Sequence, residues 1–428
     1  MRKKNNTLKN NKKTILILSF SSCLLLILLL SSYFSLSNLI DKNVEATSKT
    51  PSISDEEDLS DDQLKPSNKT YKITSLGNLI VHDAQLRGAK NGTTYNFDKS
   101  FEYISPLLQS SDLSLGIVEG SFSGENFSGY PLFNMPDEFL TSCKNAGLDL
   151  ITFATNHSID RGIDGFKRGI MKIKESNMLP IGARSSTSDK KYTVYELDNH
   201  KVGFFAYTFK TAANNGESIN SIPLSPDLSP LINTFSYNKI SEMETEVKEI
   251  ISSMKAEGVE FIFSSIHWGT EYDTTQNNSQ KEIATMLNSN GVDIILGGHP
   301  HVIQPYETLT SKSGHKTLAI YSQGNTLSNQ CFEEIGISKS EDGLIFDFTL
   351  GVKENKLYLK SYDVIPTWVY REPNKNGTMT HRIIPVKEAI ESPASFNISN
   401  DSISKLNRSL SDTKSILGEN KLYSQQSN

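Results

Sequence analysis

Apolar residues recur every three or four positions in some stretches of this chain and run together between glycines in others, and the two patterns alternate. Phe139, Leu140, Cys143 and Ala146 share one face of a helix that starts at Pro136-Asp137 and stops at Gly147. Phe166, Ile170 and Ile173 predict a second helix from about Asp164. Ile240, Met243, Val247, Ile251 and Met254 predict a third, and Ile283, Met286 and Leu287 a fourth, closed by Asn290-Gly291. A first strand opens at Tyr71, and short apolar runs predict others at 113–118, 148–154, 201–207, 260–266, 292–296 and 317–321. Strands alternating with helices argue for a layered α/β fold. After Gly343 only strands are predicted, at 344–352 and 356–365 with Asn355 at the turn, so the sheet is mixed or a second sheet packs on the first. No internal repeat is present.

The same pattern divides the chain. Residues 14–36 are almost continuously apolar, and about 20 such residues cross a bilayer as a helix. Residues 1–13 are basic and are expected to stay cytoplasmic, which sends the rest of the chain outside. A cleaved signal peptide is the rival reading, but its apolar region is usually about 7–15 residues long and ends at a small-x-small site. The expected organisation is a basic N-terminus (1–13), a transmembrane signal anchor (14–36), a flexible acidic linker (37–70), an extracellular domain (71–392) and a polar, disordered tail (393–428). This describes a single-pass protein of the cell membrane.

Charge narrows the choice of partners. The formal net charge is −6, yet residues 1–36 hold six Lys and Arg and no acid, so the remainder stands at −12. A domain so acidic is a poor ligand for nucleic acid, which requires basic patches. Three cysteines make no disulfide framework, and whether Cys143 and Cys331 meet is open.

Candidate chemistry gathers where predicted strands end. The first strand runs into Gly77-Asn78 and then His82. The strand at 113–118 ends at Glu119-Gly120, and the next at Thr155-Asn156-His157 with Asp160 beyond. The strand at 260–266 ends at His267-Trp268-Gly269-Thr270-Glu271, and 292–296 at Gly297-Gly298-His299-Pro300-His301. Five of the eight histidines occupy such positions, and ligands in open α/β sheets collect at the carboxyl ends of strands. Imidazole, carboxylate and amide oxygen together suit one or two divalent ions, Mn, Zn or Fe, of a two-metal hydrolase. The candidate metal ligands are Asn78, Glu119, Asn156, His267, His299 and His301, with His157 and Glu119 as catalytic candidates. His82, Asp160, Trp268 and Glu271 are candidate binding residues, although Trp268 has a packing role open to it and Asp160 a helix-capping one.

The ordered motifs Gly-Asn-x-x-x-His (77–82), Val-Glu-Gly (118–120), Thr-Asn-His-x-x-Asp-x-Gly-x-x-Gly (155–165), His-Trp-Gly-x-Glu-Tyr (267–272), Gly-His-Pro-His-Val-x-Gln (298–304) and Tyr-Ser-x-Gly-Asn (321–325) resemble the CapA proteins of bacterial capsule, or poly-γ-glutamate, synthesis. That family is in turn similar to calcineurin-like metallophosphatases. The resemblance implies a four-layer αββα sandwich of mixed sheets preceded by one N-terminal transmembrane helix. It casts Glu119 as a bridging carboxylate, Asn156 as an amide ligand, and His157 as a proton donor or phosphate contact. His267, His299 and His301 become imidazole ligands. The family's first motif usually reads Gly-Asp, so Asn78 removes one charge from the implied pair of metals. The implied function is assembly, export or release of an anionic polymer such as poly-γ-glutamate outside the membrane, with other membrane subunits of a polymer synthase or export complex as partners. A surface metal-dependent phosphoesterase and a non-catalytic scaffold are the alternatives.

Overall fold

Residues 69–213 and 216–426 are described by the computed structural model. The basic N-terminus, the apolar run 14–36 and all but the last two residues of the linker lie outside them. Among the described residues no helix is long and apolar enough to cross a membrane.

The chain opens with β1 (Thr70–Leu79), α1 (Asp83–Ala89), β2 (Leu113–Val118), α2 (Asp137–Ala146), β3 (Leu150–Thr152), α3 (Gly162–Glu175) and β4 (Leu179–Ile181). The middle comprises β5 (Thr193–Leu197), β6 (His200–Phe209), β7 (Thr234–Phe235), α4 (Ile240–Ala256), β8 (Val259–His267), α5 (Asn278–Ser289) and β9 (Ile294–Gly298). It continues through β10 (Ile303–Thr310), β11 (Lys316–Gln323) and β12 (Asn325–Leu327). The chain closes with β13 (Asp342–Lys353), β14 (Lys356–Pro373), β15 (Met379–Pro385), α6 (Val386–Glu391), α7 (Ile403–Leu417) and β16 (Tyr423–Gln426).

These elements form two mixed sheets. The first runs β15-β14-β13-β1-β2-β3-β4, with β12 added beside β1 and β16 beside β14. The second runs β7-β6-β8-β9-β11-β10, with β5 on β6. Alternation along β8 shows how the layers stack. Phe261 and Phe263 point to the core shared with the first sheet, where Phe263 meets Phe348 of β13 edge to face at 5.5 Å. Ile262 and Ile266 point the other way, into a second core built with Met243, Val247 and Ile251 of α4 and Ile283 and Leu287 of α5. On the outer side of the first sheet, Phe139 of α2 and Phe166 of α3 are buried, and Phe166 stacks on Phe153 at 5.6 Å. Helices thus cover both outer faces of a paired-sheet sandwich. Each such large side chain, fully buried, is worth about 1.5–3 kcal/mol.

Local chemistry sets the helix ends. Asn277 Oδ1 accepts the Gln280 N–H at 2.9 Å while Gln280 Oε1 accepts the Asn277 N–H, which starts α5 with a reciprocal cap. Gly147 ends α2 at φ 116°, a conformation that glycine adopts without a Cβ penalty.

Two features depart from the sequence reading. Strands β5, β10 and β15 were not predicted. β10 contains Pro305, which breaks its pattern and is tolerated because the strand lies at the sheet edge. The segment 393–428 was expected to be disordered, but its described residues, up to 426, include α7 and β16. The inward face of α7 mixes Leu406 and Leu417 with buried Ser409 and Thr413. It is tied down by Arg408 Nη2 donating to Glu341 Oε2 at 3.1 Å and by the Tyr306 hydroxyl donating to Lys421 O at 2.6 Å. Cys143 and Cys331 are both buried and both free.

Candidate metal centre

β1 and β2 run parallel in the first sheet, as do β8 and β9 in the second, and their carboxyl ends meet at one place. Register aligns Asn78 with Ile117 and with Asn325, and aligns His267 with Gly298. The residues that follow these ends therefore converge from both sheets.

Glu119 is at the centre and 0% exposed. Its Oε1 lies 2.6 Å from His267 Nε2, and its Oε2 lies 3.7 Å from His301 Nδ1. The same His267 Nε2 is 2.8 Å from Asn156 Oδ1. Neither oxygen of Glu119 accepts a hydrogen bond among the described residues, and Asn78 Oδ1, His267 Nδ1 and His299 Nδ1 are likewise buried without a partner. A carboxylate sealed from water with no donor is costly unless a cation neutralises it. One ligand atom each from Glu119, His267 and His299 fall within 4.8 Å of one another, and so do those of Glu271, His299 and His301. His299 belongs to both groups. The donor set fits one or two divalent ions.

The surroundings favour neutral imidazoles, whose lone pairs are what a metal needs. Burial pushes the pKa of His267 and His299 well below the ordinary value and lowers that of His301 against the pull of Glu119. Donation from His301 Nδ1 to Asn325 Oδ1 at 3.1 Å leaves Nε2 with the lone pair, and Asn78 Nδ2 lies 3.3 Å from that same Nδ1. Burial raises the Glu119 carboxyl, against the opposing pull of His301 and His157 and with Asp160 adding to the rise. His157 is different. Burial acts to lower its pKa, but Asp160 Oδ2 at 2.8 Å, with the charges of Asp160, Glu119 and Glu271, outweighs that and raises it. Asp160 is fixed in turn by the Phe133 N–H at 2.7 Å. The protonated form of His157 is thus favoured beside the cluster.

Backbone geometry is equally particular. His299 sits at φ 95°, His301 at 58° and Tyr272 at 64°, all in the left-handed region. Such non-glycine residues cost of order 1–3 kcal/mol each and cluster at functional sites. Gly298 leaves room for the centre: a Cβ there would lie 2.8 Å from Asn78 Oδ1 and 2.9 Å from Ile117 Cδ1.

Outside the cluster a cavity of about 550 Å³ opens, lined by His82, His157, His301, Glu271, Tyr272 and the 75%-exposed Tyr130 among others. His82 faces this space with its pKa lowered to about 3 by burial, and its Nε2 lies 3.3 Å from Ser328 Oγ. It belongs to neither metal group.

The family described as bacterial capsule synthesis protein PGA_cap matches residues 72–330 of this chain. The chain belongs to this family. The match includes every ligand candidate from Asn78 to His301, and ends just after Asn325. Among relatives, the capsule biosynthesis protein CapA of Bacillus anthracis is 27% identical over 293 residues, covering 66% of this chain and 64% of that protein. The PGA biosynthesis protein CapA of Bacillus subtilis (strain 168) is 25% identical over 296 residues, covering 67% and 70%. The chain thus spans less than two thirds of the first relative's length. Of solved structures, the calcineurin-like phosphoesterase YfkN from Bacillus subtilis overlaps 80% of this chain and 97% of its own, at 15% identity and a TM-score of 0.38.

Within this PGA_cap domain the structure brings together Asn78, Glu119, Asn156, His267, His299 and His301, places His157 and Asp160 beside them, and sets Glu271 at the mouth. Trp268 is a correction. It is 0% exposed, its Nε1 donates to Tyr321 O at 2.8 Å, and its ring stacks on Tyr321 in the second core, so it packs rather than binds. Asp160 meets His157 rather than the start of a helix. Asn325 holds His301, a role its motif alone did not reveal. Asn220, whose Nδ2 lies 3.2 Å from His157 Nδ1, comes from a hairpin remote in sequence and gave no signal.

Proposed function

We propose that this chain acts outside the cell membrane in the assembly, export or release of an anionic capsule polymer of the poly-γ-glutamate type, through a divalent metal centre on Glu119. The observation that carries the reading is Glu119 itself: a fully buried carboxylate without a donor, ringed by His267, His299, His301 and the amides of Asn78 and Asn156. A bound Mn, Zn or Fe ion would supply Lewis-acid charge there. Glu119, Asn156, His267 and His299 would hold the first ion. His301 and Glu271, with His299, face a second, more open position, where Asn78 offers an amide instead of a carboxylate. His157, whose protonated form Asp160 favours, would neutralise an oxyanion or give up a proton on the cavity side. Tyr130, Tyr272 and Glu271 border the entrance that a polymer segment would use.

The decisive test is Glu119→Gln, which keeps the shape and removes the charge. Surface polymer is expected to disappear while expression and membrane insertion are unchanged. Normal polymer from cells carrying only this variant would decide for a scaffold, the second reading, which Asn78 favours by weakening one metal position. Placement outside rests on the apolar run 14–36 behind a basic N-terminus. Protease added to wall-less cells is expected to remove the chain beyond about residue 40. A protected domain would reverse that topology.

A further inference from the structure

A second cavity, of about 610 Å³, lies at the seam between the two sheets, near the edge strands β4 and β7. Among its lining residues are four cations, Arg184, Lys191, Lys210 and Lys239, and two carboxylates, Glu242 and Glu246. This balance is unusual for a chain whose net charge is −6.

The carboxylates are already engaged. Glu246 takes an ion pair from Lys191 and a hydrogen bond from the Tyr207 hydroxyl, and Glu242 pairs with Lys239 at 3.0 Å. Lys210 pairs with Glu217 at 2.6 Å. Arg184 is the exception. It is only 5% exposed, Nη1 donates to Asn233 Oδ1 at 2.5 Å, and no carboxylate lies within ion-pair distance of it among the described residues. A guanidinium carries five N–H donors in a fixed fork, and one neutral acceptor leaves most of that capacity facing the cavity.

Arg184 is also held in place. Its own N–H donates to Leu231 O at 2.9 Å, Asn233 N–H donates to Gly182 O at 2.9 Å, and Asn233 Nδ2 donates to Lys191 O at 2.9 Å. A buried guanidinium fixed this firmly, with no carboxylate paired to it among the described residues and Asp189 acting on it only from beyond ion-pair distance, is costly unless an anion completes it.

We propose that this cavity binds an oxyanion, a carboxylate or phosphate group, on the Arg184 guanidinium, with Lys191, Lys210 and Lys239 supplying charge around it. It adjoins the metal centre across one aromatic wall. Phe209 is in register with Phe235 of the cavity lining, and its ring lies 4.8 Å from that of His299. No residue of the cavity belongs to the metal centre, so the two sites can be tested apart.

Inorganic phosphate and glutarate are titrated calorimetrically into the metal-stripped full-length chain in detergent. Saturable binding of at least one is expected. Phosphate alone would mark a phosphate-bearing ligand, glutarate alone a carboxylate-bearing one, and both the shared oxyanion chemistry. Arg184→Gln is expected to weaken binding about tenfold or more, the usual worth of a charged hydrogen bond. Because that residue is buried, Lys239→Glu at the exposed rim provides a second variant, expected to weaken binding severalfold with an unchanged circular-dichroism spectrum. His299→Ala is expected to leave binding intact. Absence of saturable binding, affinities that neither Arg184→Gln nor Lys239→Glu lowers, or loss of binding in His299→Ala would overturn the assignment.

Discussion

Replacing His299 with alanine is expected to strip most of the transition metal from the purified full-length chain, lowering affinity by at least about 10–100-fold. His299 is the residue common to both candidate ligand groups, with Glu119 and His267 on one side and Glu271 and His301 on the other. Its ring is buried, lies 5.0 Å from that of His267, and keeps an unpartnered Nδ1. Loss of one imidazole therefore removes a ligand from either position. Elemental analysis after dialysis against a weak chelator reads the result directly, and Asn78→Asp, which restores the missing charge, should move stoichiometry towards two. Metal content in His299→Ala equal to that of the unaltered protein would sink the centre as drawn.

Gly297→Ala is expected to disrupt folding rather than merely metal binding. A Cβ at that position would lie 1.9 Å from Tyr321 O and 2.4 Å from Tyr321 C, both backbone atoms of β11, the strand paired with β9. Backbone cannot step aside as a side chain can, so the sheet must open locally at a cost of about 3 kcal/mol or more, the upper end of overpacking. A thermal melt lowered by several degrees, or insoluble expression, is the expected reading. Gly298→Ala provides the contrast. Its methyl group meets Asn78 Oδ1 and Ile117 Cδ1, which can give slightly, so the fold should survive while the metal is displaced. An unchanged melting temperature for Gly297→Ala would show that β9 and β11 pack less tightly than described.

Much of this organisation was legible beforehand because it rests on local rules. The faces of α2, α3, α4 and α5 follow from the spacing of Phe139, Phe166, Val247 and Ile283, and Gly147 and Asn290-Gly291 mark ends by chemistry that acts within a few residues. Histidines and a glutamate just past strands that read as buried were recognisable as candidate ligands, since in parallel strands that end is where side chains leave the core. The candidate set from Asn78 to His301 followed from that rule together with the motif order.

What the sequence could not express was which partners those residues would find. Trp268 stands in the middle of a ligand motif, yet successive residues at a strand end face opposite ways, so His267 enters the centre while Trp268 enters the core behind it. Asn325 and Asn220 reach His301 and His157 only because strand pairing and a hairpin carry them across the fold. The tail folds because Arg408 finds Glu341 and Tyr306 finds Lys421, contacts with no trace in a Ser- and Asn-rich segment. Arg184 carried no signal in the sequence, and it is buried only because two loops at the seam of the sheets enclose it. Periodicity fixes which face of an element is buried. What that face meets depends on residues tens to hundreds of positions away, and only the closed sandwich brings those together.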